Sequence, residues 1–189
     1  MMRNVILLAG VVLLLADTAG CGGAQQAQGM IDVRPLGEDQ AFEVIESLLS
    51  ERGYAWEKDL TVGLSPKMVF KCDYRVKDTE LGIEFLTEQD KLEIGNIPPP
   101  AAGSRLHVLR AYAVHDVAAE LNAPPSTQVA RAKKEPLYVF FIDAKNFQYQ
   151  YNPTSENRAD VTLPDVKVRL RRDLADYVTW YENLTGKKR

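Results

Sequence analysis

Two carboxylates, Asp73 and Glu84, have the residue type and spacing to do chemistry in this 189-residue chain. Lys77-Asp78-Thr79 reads as a turn between two alternating segments. With the turn centred between Asp78 and Thr79, Val76 pairs with Leu81, and counting outward sets Asp73 directly opposite Glu84. Like charges opposed across a ladder are destabilising. A divalent cation, which takes hard oxygen ligands, would relieve the repulsion and make the pair a metal site. The same register places Lys71 opposite Leu86, so a catalytic set would be Asp73, Glu84 and Lys71. The plainer reading is that Lys71 and Arg75, on the same face, neutralise the acids on a solvated sheet surface.

Other residues offer less. His107 and His115 are eight positions apart on a segment read as helix, whereas a helical metal pair uses spacings of about three or four. Asp143-Ala144-Lys145 pairs an acid with a base at a strand end, where Asp and Asn most often mean a turn. Ser65, Ser104, Ser126 and Ser155 lack a nucleophile-elbow context. Cys72 lies in an alternating apolar segment and reads as a buried, inert thiol. Lys167, Arg169, Arg171 and Arg172 form a basic cluster that could meet anionic lipid, but Asp165, Asp173 and Asp176 interleave with it. The aromatic run Phe147 to Tyr151, with Tyr177, Trp180 and Tyr181, reads as core packing or a partner-binding patch.

The elements that must position these residues follow from periodicity. Glu38 to Arg52, with Phe42, Ile45, Leu48 and Leu49 on one side and Gly53 after it, reads as an amphipathic helix. A strand follows from Tyr54 to Val62, and Gly63 to Lys67 is expected to turn. In the next strand Met68, Phe70, Cys72, Tyr74 and Val76 share a face, and Glu80 to Leu86 completes a meander with Leu81, Ile83 and Phe85 inward. Pro98-Pro99-Pro100 marks a stiff loop. Ser104 is expected to cap a helix with Leu106, Leu109, Ala113, Val117 and Leu121 on its buried side. Leu137 to Ile142, apolar at both parities, reads as a central strand covered on both faces. Phe147 to Tyr151 is expected beside it, joined through Asp143 to Asn146. A final helix runs from about Asp165 to Asn183 with Leu170, Leu174, Tyr177, Val178 and Tyr181 inward. The sum is a single α+β domain with a mixed sheet, spanning 36–186, with a basic tail at 187–189.

The order of helix, three strands, helix and strand, taken with the two acids, resembles the restriction-endonuclease-like superfamily. That resemblance implies magnesium held by an acid on one strand and by an acid-any-lysine triplet on the next. Here the triplet is Glu84-Phe85-Leu86, with leucine at the lysine position, and Lys71 would have to substitute.

At the other end of the chain, Arg3, the apolar run Val5 to Ala16 and the small residues before Cys21 describe a secretory signal. The run is too short for a spanning helix of roughly 20 apolar residues. Thr18-Ala19-Gly20-Cys21 resembles the lipobox of bacterial lipoproteins, although Thr18 stands where that family prefers Leu. The resemblance implies removal of 1–20, a diacylglyceryl group on the Cys21 thiol and a further acyl chain, commonly palmitate, on the new amino terminus. It also implies a membrane partner through that lipid, and Gly22 after the cysteine is compatible with the outer membrane. A plain secreted chain with a chance cysteine is the alternative. Residues 21–35 begin Gly-Gly-Ala-Gln-Gln-Ala-Gln-Gly after the cysteine, and they read as a flexible tether.

Net charge of -3 gives no overall attraction to nucleic acid, and hydrophobic content of 46% suits a folded core rather than disorder. No cofactor is expected. The sequence therefore reads as a lipid-anchored envelope protein facing the periplasm, a binding or structural module with an unidentified protein partner. The alternative is a metal-dependent hydrolase with a degenerate site.

Overall fold

The computed structural model describes residues 32–114, 135–151 and 161–186. Among them are three helices and nine strands, an α+β arrangement with a mixed sheet. Helix α1 (Glu38–Glu51) buries Ala41, Val44, Ile45, Leu48 and Leu49, one stripe at helical spacing. Its start is closed by the Gln40 side chain, which accepts the Gly37 N–H at 3.2 Å, and Gly53 ends it at φ 70°. Helix α3 (Leu163–Thr185) begins at Thr162, whose hydroxyl accepts from the Asp165 N–H, and ends at left-handed Gly186. Its buried stripe of Val166, Leu170, Leu174, Tyr177, Val178 and Tyr181 contains all the inward residues expected from periodicity.

The strands form a sheet that returns on itself. β2 (Trp56–Glu57) and β3 (Leu60–Ser65) are one stretch interrupted at Lys58 and Asp59, while β4 (Met68–Cys72) and β5 (Tyr74–Val76) are one stretch interrupted at Asp73. Their pairings, from Trp56↔Val76 to Gly63↔Val69, keep a single hairpin register. At one end β5 pairs antiparallel with β6 (Leu81–Leu86). β6 runs parallel to β8 (Glu135–Asp143), which is antiparallel to β7 (Val108–Ala113). β7 then pairs with β3 through Val62↔Ala113 and Gly63↔Tyr112. The two ends of the sheet are thus halves of one hairpin, and the five stretches close as a ring. The closing seam is tight: a Cβ on Gly63 would lie 2.5 Å from Cζ of Tyr112.

Two cores result. The main core lies between the helices and the outer face of the ring, with Tyr74, Val76, Leu81, Ile83, Phe85, Phe140 and Ile142 beneath α1 and α3. At its centre the Tyr177 hydroxyl lies 3.0 Å from the Gly82 carbonyl and also reaches that of Tyr138. The second core fills the ring: Val62, Phe70, Cys72, Leu86, Ala111, Leu137, Val139 and Phe141. Helix α2 (Glu88–Ile94) stands at its rim, with Ile94 and Ile97 packed against that cluster.

Several expectations are corrected. The segment from Ser104, read as helix, contains β7, held to β8 by six residue pairs. Leu106, Leu109 and Ala113 fit helical spacing, but Leu109, Ala111 and Ala113 equally fit a period of two, and the central strand β8 supplies the ladder that decides it. Val117 and Leu121 lie outside the described residues. The strand read as continuous from Met68 to Val76 is cut at Asp73, so Phe70 and Cys72 enter the second core and Tyr74 and Val76 the main one. The turn expected from Gly63 is confined to Pro66 and Lys67. β9 (Gln148–Gln150) pairs not with β8 but with β1 (Val33–Pro35), three residues expected to be tether. Between β8 and β9 a 3-10 turn over Ala144–Asn146 is started by Asp143, whose carboxylate accepts the Lys145 N–H at 2.9 Å.

Candidate functional site

Asp73 and Glu84 meet where the hairpin is interrupted. The turn at Asp78, φ 59°, sets Val76 on Leu81 and Tyr74 on Ile83, so Asp73 lies across from Glu84 as the turn count requires. The ladder stops at Tyr74, and side chains take over from backbone. The Asp73 N–H donates to Oε2 of Glu84 at 3.0 Å, and Oδ2 of Asp73 accepts the Phe85 N–H at 2.7 Å. These two bonds stand in for the ladder bonds that an uninterrupted strand would make. Asp59, on the other strand of the hairpin at the same level, is left-handed at φ 57°, a conformation Asp tolerates better than most residues.

Glu84 is 3% exposed and is the one charged side chain buried among the described residues. Loss of hydration raises its carboxyl to about 9, with the neighbouring Asp73 charge and then Asp90 and Glu38 adding to the rise. Burial likewise raises Asp73 to about 7, opposed by the Phe85 N–H and assisted by Asp90, Glu38 and Asp59. The pair therefore holds a proton at neutral pH.

The third member of the expected set is elsewhere. Lys71 pairs with Thr61 across β3 and is exposed, because β4 leaves β6 at the interruption and the register Lys71 opposite Leu86 is never formed. Arg75 does not neutralise the pair either: its guanidinium binds Glu135 at 2.9 Å and Glu57 at 3.4 Å. Both readings of the acids from sequence thus need revising: Glu84 is buried and Asp73 half-buried, and neither Lys71 nor Arg75 is paired with them. No cluster of three or more His, Cys, Asp or Glu side chains suited to a metal occurs among the described residues. What the arrangement can do chemically is bind and release protons.

Cys72, next to the pair, donates to the carbonyls of Ile83 at 3.3 Å and Tyr74 at 3.4 Å. Burial, with Glu84 and Asp73 nearby, pushes its thiol well up, so it stays protonated. His107 lies on the lead into β7 and not on a helix; its Nε2 donates to the Pro98 carbonyl at 2.7 Å and its ring packs 5.4 Å from Phe141. Asp143 accepts Lys91 at 2.6 Å. The basic cluster on α3 is engaged: Lys167 with Glu43, Arg171 with Glu51, Arg172 with Asp173, and Arg169 on the Asn146 carbonyl. Trp180 and Tyr181 pack with Tyr138, and Tyr177 stacks on Trp180. Cys21, His115, Ser126, Ser155 and the tail 187–189 lie outside the described residues.

Two surface clefts flank Tyr149. One, of about 780 Å³, is lined by Glu38, Asp39, Gln40, Thr87, Gln89 and Asp90. The other, of about 330 Å³, is lined by Lys145, Asn146, Gln148, Gln150 and Arg169. Sequence reasoning missed both, and the acidic one stands between the starts of α1 and α2. The start of α2 was marked in the sequence by Thr87-x-x-Asp90, whose side chains and N–H groups bond reciprocally. No helix among the described residues is long and apolar enough to cross a membrane. No family model matches the chain, and no curated protein or solved structure matches it.

Proposed function

We propose that the protein is a lipid-anchored module of the bacterial cell envelope, attached through Cys21, facing the periplasm and acting by binding rather than catalysis. The observation that carries this reading is the order of parts in the chain: an apolar leader, the small residues before Cys21, a Gly/Ala/Gln spacer, then structure beginning with β1. Its ligand-binding surface is the pair of clefts beside Tyr149, whose volumes fall in or near the range of roughly 300 to 1,000 Å³ of small-ligand sites. Intact mass of the mature amino terminus tests the anchor: a chain beginning at Cys21 with acyl chains is expected. A chain beginning elsewhere, or unlipidated, defeats it.

A second reading, a metal-dependent hydrolase, is favoured by one observation, the meeting of Asp73 and Glu84. Exposed Lys71 and the backbone N–H groups already held by both acids count against it. Titration with magnesium or manganese tests it: saturable binding lost in Asp73→Ala is expected of this reading, and a variant that binds equally well would defeat it.

A further inference from the structure

The hairpin interruption is also the boundary between the two cores. On one side of Asp73, β5 is held to β6 beneath the helices; on the other, β4 leaves β6 and carries Phe70 and Cys72 into the ring. The ties between Asp73 and the Glu84-Phe85 stretch of β6 are the two bonds from N–H groups to carboxyls. Among the described residues, the groups that bear most on the pair are acidic: Asp90 from α2, Glu38 from α1 and Asp59 from the β2–β3 link, with the Cys72 thiol of β4 and the Tyr74 hydroxyl of β5 also coupled to it. Among the described cations, Lys58 pairs with Glu46, Arg75 with Glu57 and Glu135, and Lys91 with Glu88 and Asp143, while Lys71 of β4 is exposed.

We propose that the Asp73–Glu84 pair is a proton-operated latch that holds the β3–β4 half of the hairpin over the ring, released when both carboxyls ionise. A second ionisation puts two negative charges in a largely buried site where no cation among the described residues pairs with them, and the side able to move is the one not packed under α1 and α3. Both carboxyls lie above their ordinary values, so the folded state holds protons that the unfolded chain gives up. Stability from this source is full below the ordinary carboxyl range and is lost as pH rises through about 7 and about 9. The latch is thus closed in mild acid and open in alkali.

Hydrogen exchange of the full chain in detergent, corrected for the chemical rate at each pH, tests this. Between pH 6 and pH 9, protection over 60–73 should fall by about tenfold or more, the effect of roughly one pKa unit, while 166–178 stays constant. In Glu84→Gln the fall should shrink to the part that Asp73 alone contributes as pH passes about 7. An equal fall in both segments, no fall, or a fall unchanged in Glu84→Gln would overturn the proposal. Should that variant not fold, the carboxyl-carbon titration of wild-type Glu84 decides, and a midpoint in the ordinary range near 4 to 5 would refute the latch.

Discussion

The main core and the second core draw on opposite faces of β6 and β8, but they treat buried polarity differently. Beneath the helices the polar groups of the buried side chains are neutral tyrosine hydroxyls, among them that of Tyr177, which meets carbonyls of both strands. Inside the ring and at its rim are the Cys72 thiol and the Glu84 carboxyl, the latter satisfied by an N–H but paired with no cation among the described residues. A neutral, hydrogen-bonded group makes stability insensitive to pH over the physiological range, whereas an uncompensated carboxyl ties it to proton concentration. One core sets how firmly the chain folds; the other sets the conditions under which the ring stays shut.

Substitutions can separate these roles. The largest effect is expected in the main core: Leu174→Ala, at a fully buried site, should cost about 2 to 5 kcal/mol by urea unfolding, nearly equally at pH 6 and pH 9. Next is Gly82→Ala, whose new Cβ would lie 3.0 Å from Leu137 and 3.2 Å from Val139 inside the ring. Overpacking of about 1 to 3 kcal/mol is expected. If Gly82→Ala cost nothing, the ring interior would be looser than its neighbours imply. The smallest effect belongs to the surface: Arg171→Ala, which breaks the exposed pair with Glu51, should leave the urea unfolding midpoint nearly unchanged. A larger loss there would mean the α1–α3 seam relies on charge and not on its apolar stripe.

What could be read from sequence was what local physics decides. The stripes of α1 and α3, the two-faced strand β8 and the register that sets Asp73 across from Glu84 depend on periodicity and on one turn. What escaped depends on distant partners. β7 carries a pattern compatible with two periods, and only its ladder with β8 chooses. The alternation of Met68 to Val76 is real, yet it cannot reveal that the chain changes layers at Asp73. The burial of Glu84 was hidden for the same reason, since an acid at an alternating position looks solvated until the ring closes over it. β1 and β9 are three residues each and find one another across more than a hundred positions. The start of α2 is the exception, a local signal that was present at Thr87 and Asp90.

The pairing of β1 with β9 also sets a length. Asp32, whose carbonyl accepts the Tyr151 N–H at 2.8 Å, is eleven residues on from Cys21, and a fully extended chain gains about 3.5 Å per residue. A lipid on Cys21 would therefore keep the β1–β9 edge within about 40 Å of the bilayer, little more than the breadth of a body whose radius of gyration is about 15 Å. On so short a leash a chain anchored in this way would patrol only a thin shell beside the membrane, and anything it captured would have to come to that surface to be met.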